Sequence, residues 1–439
     1  MDALANLPGD VLVAILVRLP ARSIARCRQV CRAWRSVISE PSFDIAHAER
    51  PAAVVKVTTD WKYDCRIVHG TAEELTISTR TNVVFNFFRG RWHRDNVHIN
   101  PPLTWALTLP STRSWVHGSW DGVVCIKLCF WTGELSLIPP PPPTYVDQYV
   151  LWNPLTAACA IVSPPGNGGE IIGAYSHPST RRFHLVHASG KTVGGDHLMA
   201  PTTFRVLRVG DAVWREIPLK EDNSTYESKI SMDGHHARCV RLHGNLHWLV
   251  LWSSAEPMKL RLLVLDTARE KFRLMEAPPT RQQGPANDLT NARLGVLSGG
   301  KLCAFIVEPS TSSMQVWVLD DYEAVPLSSW RLKERISLVS RDKYDLSRRF
   351  CMDMDVEVVE GVREGEEIFL HRNGIMGSSR IDAYNLGCKE WNTVNVCQSA
   401  RTVLHRESIL QHEVSFGGAS RTLSRKEKVD KNGHRCYYL

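Results

Sequence analysis

Residues 11–17, Val11-Leu12-Val13-Ala14-Ile15-Leu16-Val17, are apolar at every position. Pro8 and Asp10 just ahead of the run suit a helix start. Proline loses no needed N–H in the first turn, and a carboxylate there favours the positive end of the helix dipole. Leu19-Pro20 ends the run, because the residue before a proline avoids the helical region. The pattern predicts a helix from about Pro8 to Arg18. A surface helix keeps one polar face, whereas a helix apolar all round must be buried all round. A segment of roughly forty residues rarely encloses a stable core alone. One face is therefore expected to pack on the next helix while the other waits for a partner.

Ser23 lies just ahead of a second periodic run. Ile24, Cys27, Cys31, Trp34 and Ile38 recur at three-to-four-residue steps and form one apolar stripe. Arg22, Arg26, Arg28, Arg32 and Arg35 occupy the faces between, and Pro41 stops the run. A break near Gln29 divides this stretch into two short helices.

This N-terminal segment resembles an F-box, the helical module that docks ubiquitin-ligase substrate receptors onto a Skp-type adaptor. The residues that carry the resemblance are Leu7-Pro8, Asp10, Val11-Leu12, Ile15-Leu16, Arg18-Leu19-Pro20, Ser23, Ile24, Arg26, Val30-Cys31, Trp34, Ile38, Pro41 and Phe43. Ala14 stands where the family often has Glu, and Cys27 where it often has Phe. The resemblance implies adaptor contacts from Leu7, Pro8, Val11, Leu12, Ile15, Leu16, Leu19, Pro20, Ser23, Ile24, Cys27, Val30, Cys31 and Trp34. Ile15, Leu16 and Leu19 are expected to face the adaptor, and Leu12 with part of Trp34 to face inward.

From about residue 51 the helical period fades. Short apolar runs appear between Gly, Pro, Asn and Asp turns, which is the strand signal. Examples are Val123–Ile126, Tyr149–Trp152, Phe183–Val186, Phe204–Leu207, Leu246–Val250, Leu262–Leu265, Val316–Leu319 and Ile368–Leu370. One phrase recurs, an apolar strand, a polar turn and a large residue opening a second strand. It starts near 149, 204, 262, 316 and 381. A second phrase precedes each, with turn glycines at Gly122, Gly244 and Gly300. Steps of about 55 to 65 residues match four strands with turns, the size of a propeller blade. Residues 51–110 form a sixth, poorly matched unit, which a strand around Leu410–Phe416 is expected to complete.

This region resembles the F-box-associated β-propeller-like domain that follows plant F-boxes. The matching pieces are Trp152-Asn153-Pro154, Gly244-Asn245-Leu246-His247-Trp248, Leu265-Asp266, and Val316 to Tyr322 with Trp330 following. Paired-glycine kelch strands do not repeat, and leucine-rich spacing is absent. The expected fold is thus α+β and multidomain. A small three-helix F-box (1–45) precedes an all-β, propeller-like repeat domain of about six blades (46–416). Residues 417–439 read as a basic, disordered tail carrying Arg421, Arg425, Lys426, Lys428, Lys431 and Arg435. Trp214, Trp330 and Trp391 share one phrase position and read as packing residues between blades. Pro139–Pro143 reads as a stiff loop. Trp115, Trp120 and Trp131, with Arg89, Arg91 and Arg94, are candidates for a face of the ring.

Composition narrows the function. A length of 439 residues implies two or more domains. A hydrophobic share of 43% with 23% charged residues is that of a soluble globular protein. A net charge of +7 spread over this length gives no clustered patch for nucleic acid. No run reaches membrane-spanning length, and the 11–17 run lacks the basic flank of a secretory signal. The twelve cysteines form no C-x-x-C pair, which suits a reducing intracellular compartment, the cytoplasm or nucleus. His235, His236 and Cys239 have no second ligand pair nearby, so no metal or cofactor is implied. There is no G-x-S-x-G, H-E-x-x-H, Walker loop or G-x-G-x-x-G.

The expectation is a non-catalytic substrate receptor of a Skp–cullin–F-box ubiquitin ligase. Its partners are a Skp-type adaptor, through it cullin and RING subunits, and a target protein, with neither nucleic acid nor membrane. The alternative is a propeller enzyme or small-molecule sensor with an adaptor-binding handle.

Overall fold

The structure is a computed structural model. It describes residues 8–19, 21–40, 42–43, 46–47, 54–62, 80–87, 104–110, 113–131, 145–153, 158–166, 168–193, 198–219, 230–233, 239–252, 259–279, 292–297, 300–308, 311–322, 330–338, 354–360, 366–373, 378–398, 403–406, 416, 420–422 and 435–438. The chain divides into two compact units, residues 1–165 with 398–439, and residues 166–397.

Unit one opens with short helices, α1 (Gly9–Leu16), α2 (Ala21–Cys27) and α3 (Arg32–Ile38). Strands follow: β1 (Val54–Lys62), β2 (Arg80–Phe87), β3 (Thr104–Pro110), β4 (Arg113–Trp120), β5 (Val123–Trp131), β6 (Tyr145–Trp152) and β7 (Ala158–Val162). The described elements of unit two are strands. It runs β8 (Glu170–Ser176), β9 (Phe183–Val193), β10 (Leu198–Arg208), β11 (Arg215–Ile217), β12 (Ile230–Asp233), β13 (Val240–Leu242), β14 (Asn245–Trp252), β15 (Lys259–Asp266) and β16 (Lys271–Glu276). It continues with β17 (Ala292–Leu297), β18 (Lys301–Glu308), β19 (Ser313–Leu319), β20 (Trp330–Ser337), β21 (Met354–Glu360), β22 (Glu366–Asn373), β23 (Ser378–Asn385) and β24 (Glu390–Gln398). The chain then returns to unit one as β25 (Val403–Arg406), β26 (Ser420–Thr422) and β27 (Arg435–Tyr438).

The recurring phrases are hairpins. The phrase with turn glycines forms β4–β5, β8–β9, β13–β14, β17–β18 and β21–β22. The phrase with the large residue forms β6–β7, β10–β11, β15–β16, β19–β20 and β23–β24. In β4–β5 and β13–β14 two residues carry the turn. Asp121-Gly122 has φ of 47° and 78°, and His243-Gly244 has 49° and 73°. Two successive positive φ values give the turn whose twist matches a right-twisted hairpin. In the second kind an acidic or amide side chain closes the turn. Asp266 Oδ1 accepts from the amides of Ala268 and Arg269 at 2.9 and 3.0 Å. Asn385 Oδ1 accepts from Gly387 and Cys388 at 2.8 and 2.9 Å.

The strand order in unit one is β25-β1-β2-β3-β27 and β26-β7-β6-β5-β4. Segment 417–439, read as a disordered tail, contributes two of these strands. β26 pairs antiparallel with β7, and β27 pairs parallel with β3. A sheet edge presents free backbone N–H and C=O groups that a further strand can pair with. The completing strand of the first sheet is β25, antiparallel to β1, ahead of the expected 410–416. Of those residues only Phe416 is described, and it is buried and not in a strand.

In unit two, β17-β18-β19-β20 and β21-β22-β23-β24 are four-stranded sheets. The preceding strands form one nine-stranded sheet, because β12 bridges β10 and β14. Central strands are buried on both faces. On β18, Leu302, Ala304 and Ile306 pack toward β13–β16, while Cys303, Phe305 and Val307 pack toward β21–β24. Such a strand reads as a continuous apolar run, KLCAFIVE, because both sides are covered. Tryptophans stitch the stack. Trp330 and Trp391 each donate an indole N–H to a carbonyl 54 residues earlier, Glu276 O at 3.0 Å and Ser337 O at 3.2 Å. Trp214 meets the His187 ring edge-on at 5.5 Å.

Gly190 on β9 marks a close approach. A Cβ there would lie 1.9 Å from Ala200 O and 2.6 Å from Pro201 Cα, beside the register slip between Pro201 and Thr203. Overpacking of this kind costs about 1–3 kcal/mol. Gly190→Ala is expected to destabilise the full chain by about that much and so to lower its denaturation midpoint. An unchanged midpoint would contradict the register of β9 on β10.

Candidate functional site

The helical segment has a small core. Leu12, Leu16, Ile24, Ile38 and Phe43 are buried, with Val13, Val17, Leu19, Cys27, Trp34 and Val37 packed around them. Leu12 and Leu16 lie one helical turn apart and share one face of α1; Val11 and Ile15 share the neighbouring face. α1 lacks a side-chain cap, and the Leu12 amide donates to Pro8 O at 3.0 Å. α2 and α3 are separated by a turn at 28–31, as the break near Gln29 predicts. The Arg35 guanidinium donates to Arg28 O at 3.0 Å and holds the break. Cys31 caps α3, its Sγ accepting from the Trp34 amide at 3.5 Å. Burial pushes the Cys27 thiol pKa up.

The expected docking residues divide into two groups. Leu12, Leu16 and Ile24 are 5%, 0% and 0% exposed, so they build the module's interior. For Leu16 and Ile24 this corrects the expected outward face. A run apolar on every side does not reveal which stripe turns toward α3, and here it is the 12/16 stripe. Pro8, Val11, Ile15, Val30 and Cys31 are exposed, and Leu19, Ser23, Cys27 and Trp34 are half-buried. Leu7 and Pro20 lie outside the described residues. α2 begins at Ala21, two residues ahead of Ser23.

The exposed apolar side chains are concentrated here. Among the described residues the exposed large hydrophobics are Val11, Ile15, Val30, Val213, Leu332 and Trp391. Half of them belong to this short segment. Clustered exposed apolar residues mark an interaction site more than scattered ones do.

One contact was not foreseen. His47 is buried, stacks on Phe43 at 6.1 Å and donates from Nε2 to Leu19 O at 3.0 Å. It lies beyond the boundary read at 45. Its one sequence signal is the i+4 spacing from Phe43.

Unit two carries polar pairs at several of its hairpin turns. Tyr175 OH donates to Glu270 Oε1 at 3.0 Å, and Arg215 pairs with the other oxygen. Burial foremost, then the Glu270 charge, pushes the Tyr175 hydroxyl pKa up. His184 stacks on Tyr175 at 5.1 Å, and burial lowers its pKa. Arg208 grips Asp211 in a two-pronged pair at 2.8–2.9 Å, and Val213 beyond it is 75% exposed. Lys301 and Arg331 flank Asp320. Tyr175 and His184 are buried, whereas the Arg208–Asp211 and Arg331–Asp320 pairs are partly exposed.

Among the described residues no three His, Cys, Asp or Glu side chains gather as a metal site. His235 and His236 lie outside those residues, and Cys239 packs against the apolar core. Trp120 is half-buried. The side chains of Trp115, Trp131, Arg89, Arg91 and Arg94, and the run Pro139–Pro143, lie outside the described residues.

Comparison with known proteins agrees with both halves. Residues 4–43 match the F-box-like family, and residues 144–364, half of the chain, match the F-box associated beta propeller domain. An F-box protein of Arabidopsis thaliana is 22% identical over 362 residues, covering 81% of this chain and 84% of its own. An F-box/kelch-repeat protein of the same plant is 25% identical over 427 residues, covering 91% and 92%. Another is 49% identical over 43 residues, covering 10% of this chain and 12% of its own. The chain belongs to the F-box proteins that carry an F-box associated β-propeller domain.

Proposed function

We propose that the chain is the substrate-receptor subunit of a Skp–cullin–F-box ubiquitin ligase. A three-helix F-box docks on the Skp-type adaptor, and the adaptor connects it to cullin and RING subunits. The β region, a propeller of about six blades, holds a target protein. The observation that carries this reading is the exposed apolar set Val11, Ile15 and Val30 on a module whose own core is complete without them. Pro8, Leu19, Ser23, Cys27, Cys31 and Trp34 flank that set in our reading, together with Leu7 and Pro20. The blade count takes β8–β11 and β13–β16 as two blades, although β12 joins them into one sheet. The other four in our count are β17–β20, β21–β24, β4–β7 and the β1–β3 sheet.

The chain performs no bond chemistry in this scheme. It raises the effective concentration of target lysines near the ubiquitin-carrying enzyme. It would work in the cytoplasm or nucleus, where Cys27, Cys31 and Cys388 stay thiols.

Affinity purification of the tagged full chain under proteasome inhibition tests the division of labour. Ile15→Asp is expected to lose the adaptor and retain the target proteins. Loss of the targets with retention of the adaptor would overturn it.

A further inference from the structure

One tyrosine hydroxyl joins the sheet β13–β16 to the start of the β19–β20 connection. Tyr322 OH lies 2.7 Å from His247 Nε2, 3.0 Å from Asn245 Nδ2 and 3.2 Å from Arg273 Nη2. His247 is fully buried, and its Nδ1 lies 3.1 Å from Val240 O. A carbonyl can only accept, so Nδ1 carries the imidazole proton and Nε2 is an acceptor. Tyr322 therefore donates to His247. The amide and the guanidinium can only donate, so they fill the two lone pairs of the hydroxyl oxygen. One arrangement of protons satisfies every group.

The surroundings offer a second positive charge no relief. Arg273 of β16 sits over the Tyr322 ring at 5.6 Å, and the His243 ring of the β13–β14 turn lies 5.2 Å from it. The acid facing the site is Asp266 at the end of β15. It is occupied by the turn amides of Ala268 and Arg269, with the Arg269 guanidinium at 3.7 Å. A proton on Nε2 would turn an acceptor into a donor. Three N–H donors would then face two lone pairs, and the hydroxyl proton would have no acceptor. Two cations would share the site, and Asp266, the acid named above, is already engaged by turn amides. An unsatisfied buried network of this kind opens rather than persists.

We propose that Tyr322 and His247 form a proton-operated latch, which pins Asp320–Tyr322 to the neighbouring sheet and releases it when His247 is protonated. The device is independent of adaptor docking. The His247 pKa is pulled down to about 4, chiefly by burial, with the Val240 bond opposing and the Arg273 and His243 charges assisting. The open form restores a histidine near 6.5. Acid therefore favours opening: the latch is fully closed above 6.5 and weakens progressively as pH falls toward 4. Between pH 7.5 and 5.0 the open population rises about 30-fold.

Hydrogen exchange of the full chain, followed by mass spectrometry and corrected for intrinsic pH effects, tests this. Peptides covering 313–322 and 240–252 are expected to exchange about 30-fold faster, relative to intrinsic rates, at pH 5.0 than at pH 7.5. His247→Gln keeps an acceptor for Tyr322 but does not titrate, so its acid response in these peptides should vanish. Tyr322→Phe should exchange at pH 7.5 as the wild type does at pH 5.0. The proposal is overturned if the wild type shows no acid response there, or if His247→Gln responds as the wild type does. Should His247→Gln fail to fold, a full acid response retained in Tyr322→Phe would overturn it equally.

Discussion

Leu16→Asp is expected to unfold the helical module outright. Leu16 is 0% exposed and sits among Leu12, Ile24, Ile38 and Phe43. Its packing neighbours there are apolar, so the carboxylate would be buried among them or would force the helices apart. Removing the leucine alone costs about 2–5 kcal/mol, and a lone buried charge adds several more. A module of this size has little stability to lose. The check is hydrogen exchange across 9–38. Protection should vanish there and survive in β14, β15 and β18. Ile15→Asp is the paired control. Ile15 is 44% exposed, so the same charge one residue earlier should leave protection intact within a factor of a few. Equal loss in both variants would place the inner face of α1 wrongly.

Trp248→Ala should have the largest effect in unit two. Trp248 is 1% exposed, packs near Phe272 at 6.4 Å and belongs to the cluster holding Tyr175, Phe204 and Leu263. Its indole N–H donates to Ile172 O at 2.8 Å. Gly173 follows that carbonyl, and a Cβ there would come within 3.0 Å of the ring. Truncation to alanine loses about 3–5 kcal/mol of packing and leaves a buried carbonyl without its donor. Trp248→Phe keeps most of the packing, so its loss should be smaller, about 1–3 kcal/mol, largely from the orphaned carbonyl. Denaturant unfolding of the full chain, followed by exchange in β8 and β14, measures both. An alanine variant as stable as wild type would show that the two strands do not share this core.

Much of the architecture is legible in the residues because it repeats. The paired phrases locate the hairpins, and in β4–β5 and β13–β14 a two-residue turn with positive φ needs Gly122 and Gly244 at fixed places. Trp330 and Trp391 share a phrase position and make the same bond 54 residues back. Features without a periodic signal stay hidden. β12 is four residues long and bridges β10 to β14 through a few pairs. β26 and β27 sit in a segment whose charge suggests solvent, and their pairing depends on which edges lie within reach. The helical site was half legible. The apolar run says that α1 is covered on more than one side. It does not say whether Leu16 or Ile15 faces inward, because every stripe of the run is apolar. The packing of Ile38 and Phe43 decides that, and neither belongs to the run. The Tyr322 network was invisible for a similar reason, joining residues 75 and 77 positions apart.

The central claim is that the exposed stripe of α1 docks the adaptor while the buried stripe holds the module together. The most direct measurement is the affinity of the purified full chain for a Skp-type adaptor by calorimetry, wild type against Ile15→Asp. Desolvated apolar anchors dominate such interfaces, so the variant should bind about 100-fold more weakly or not at all, with its helices still protected. Wild-type affinity in a folded Ile15→Asp chain would contradict the account.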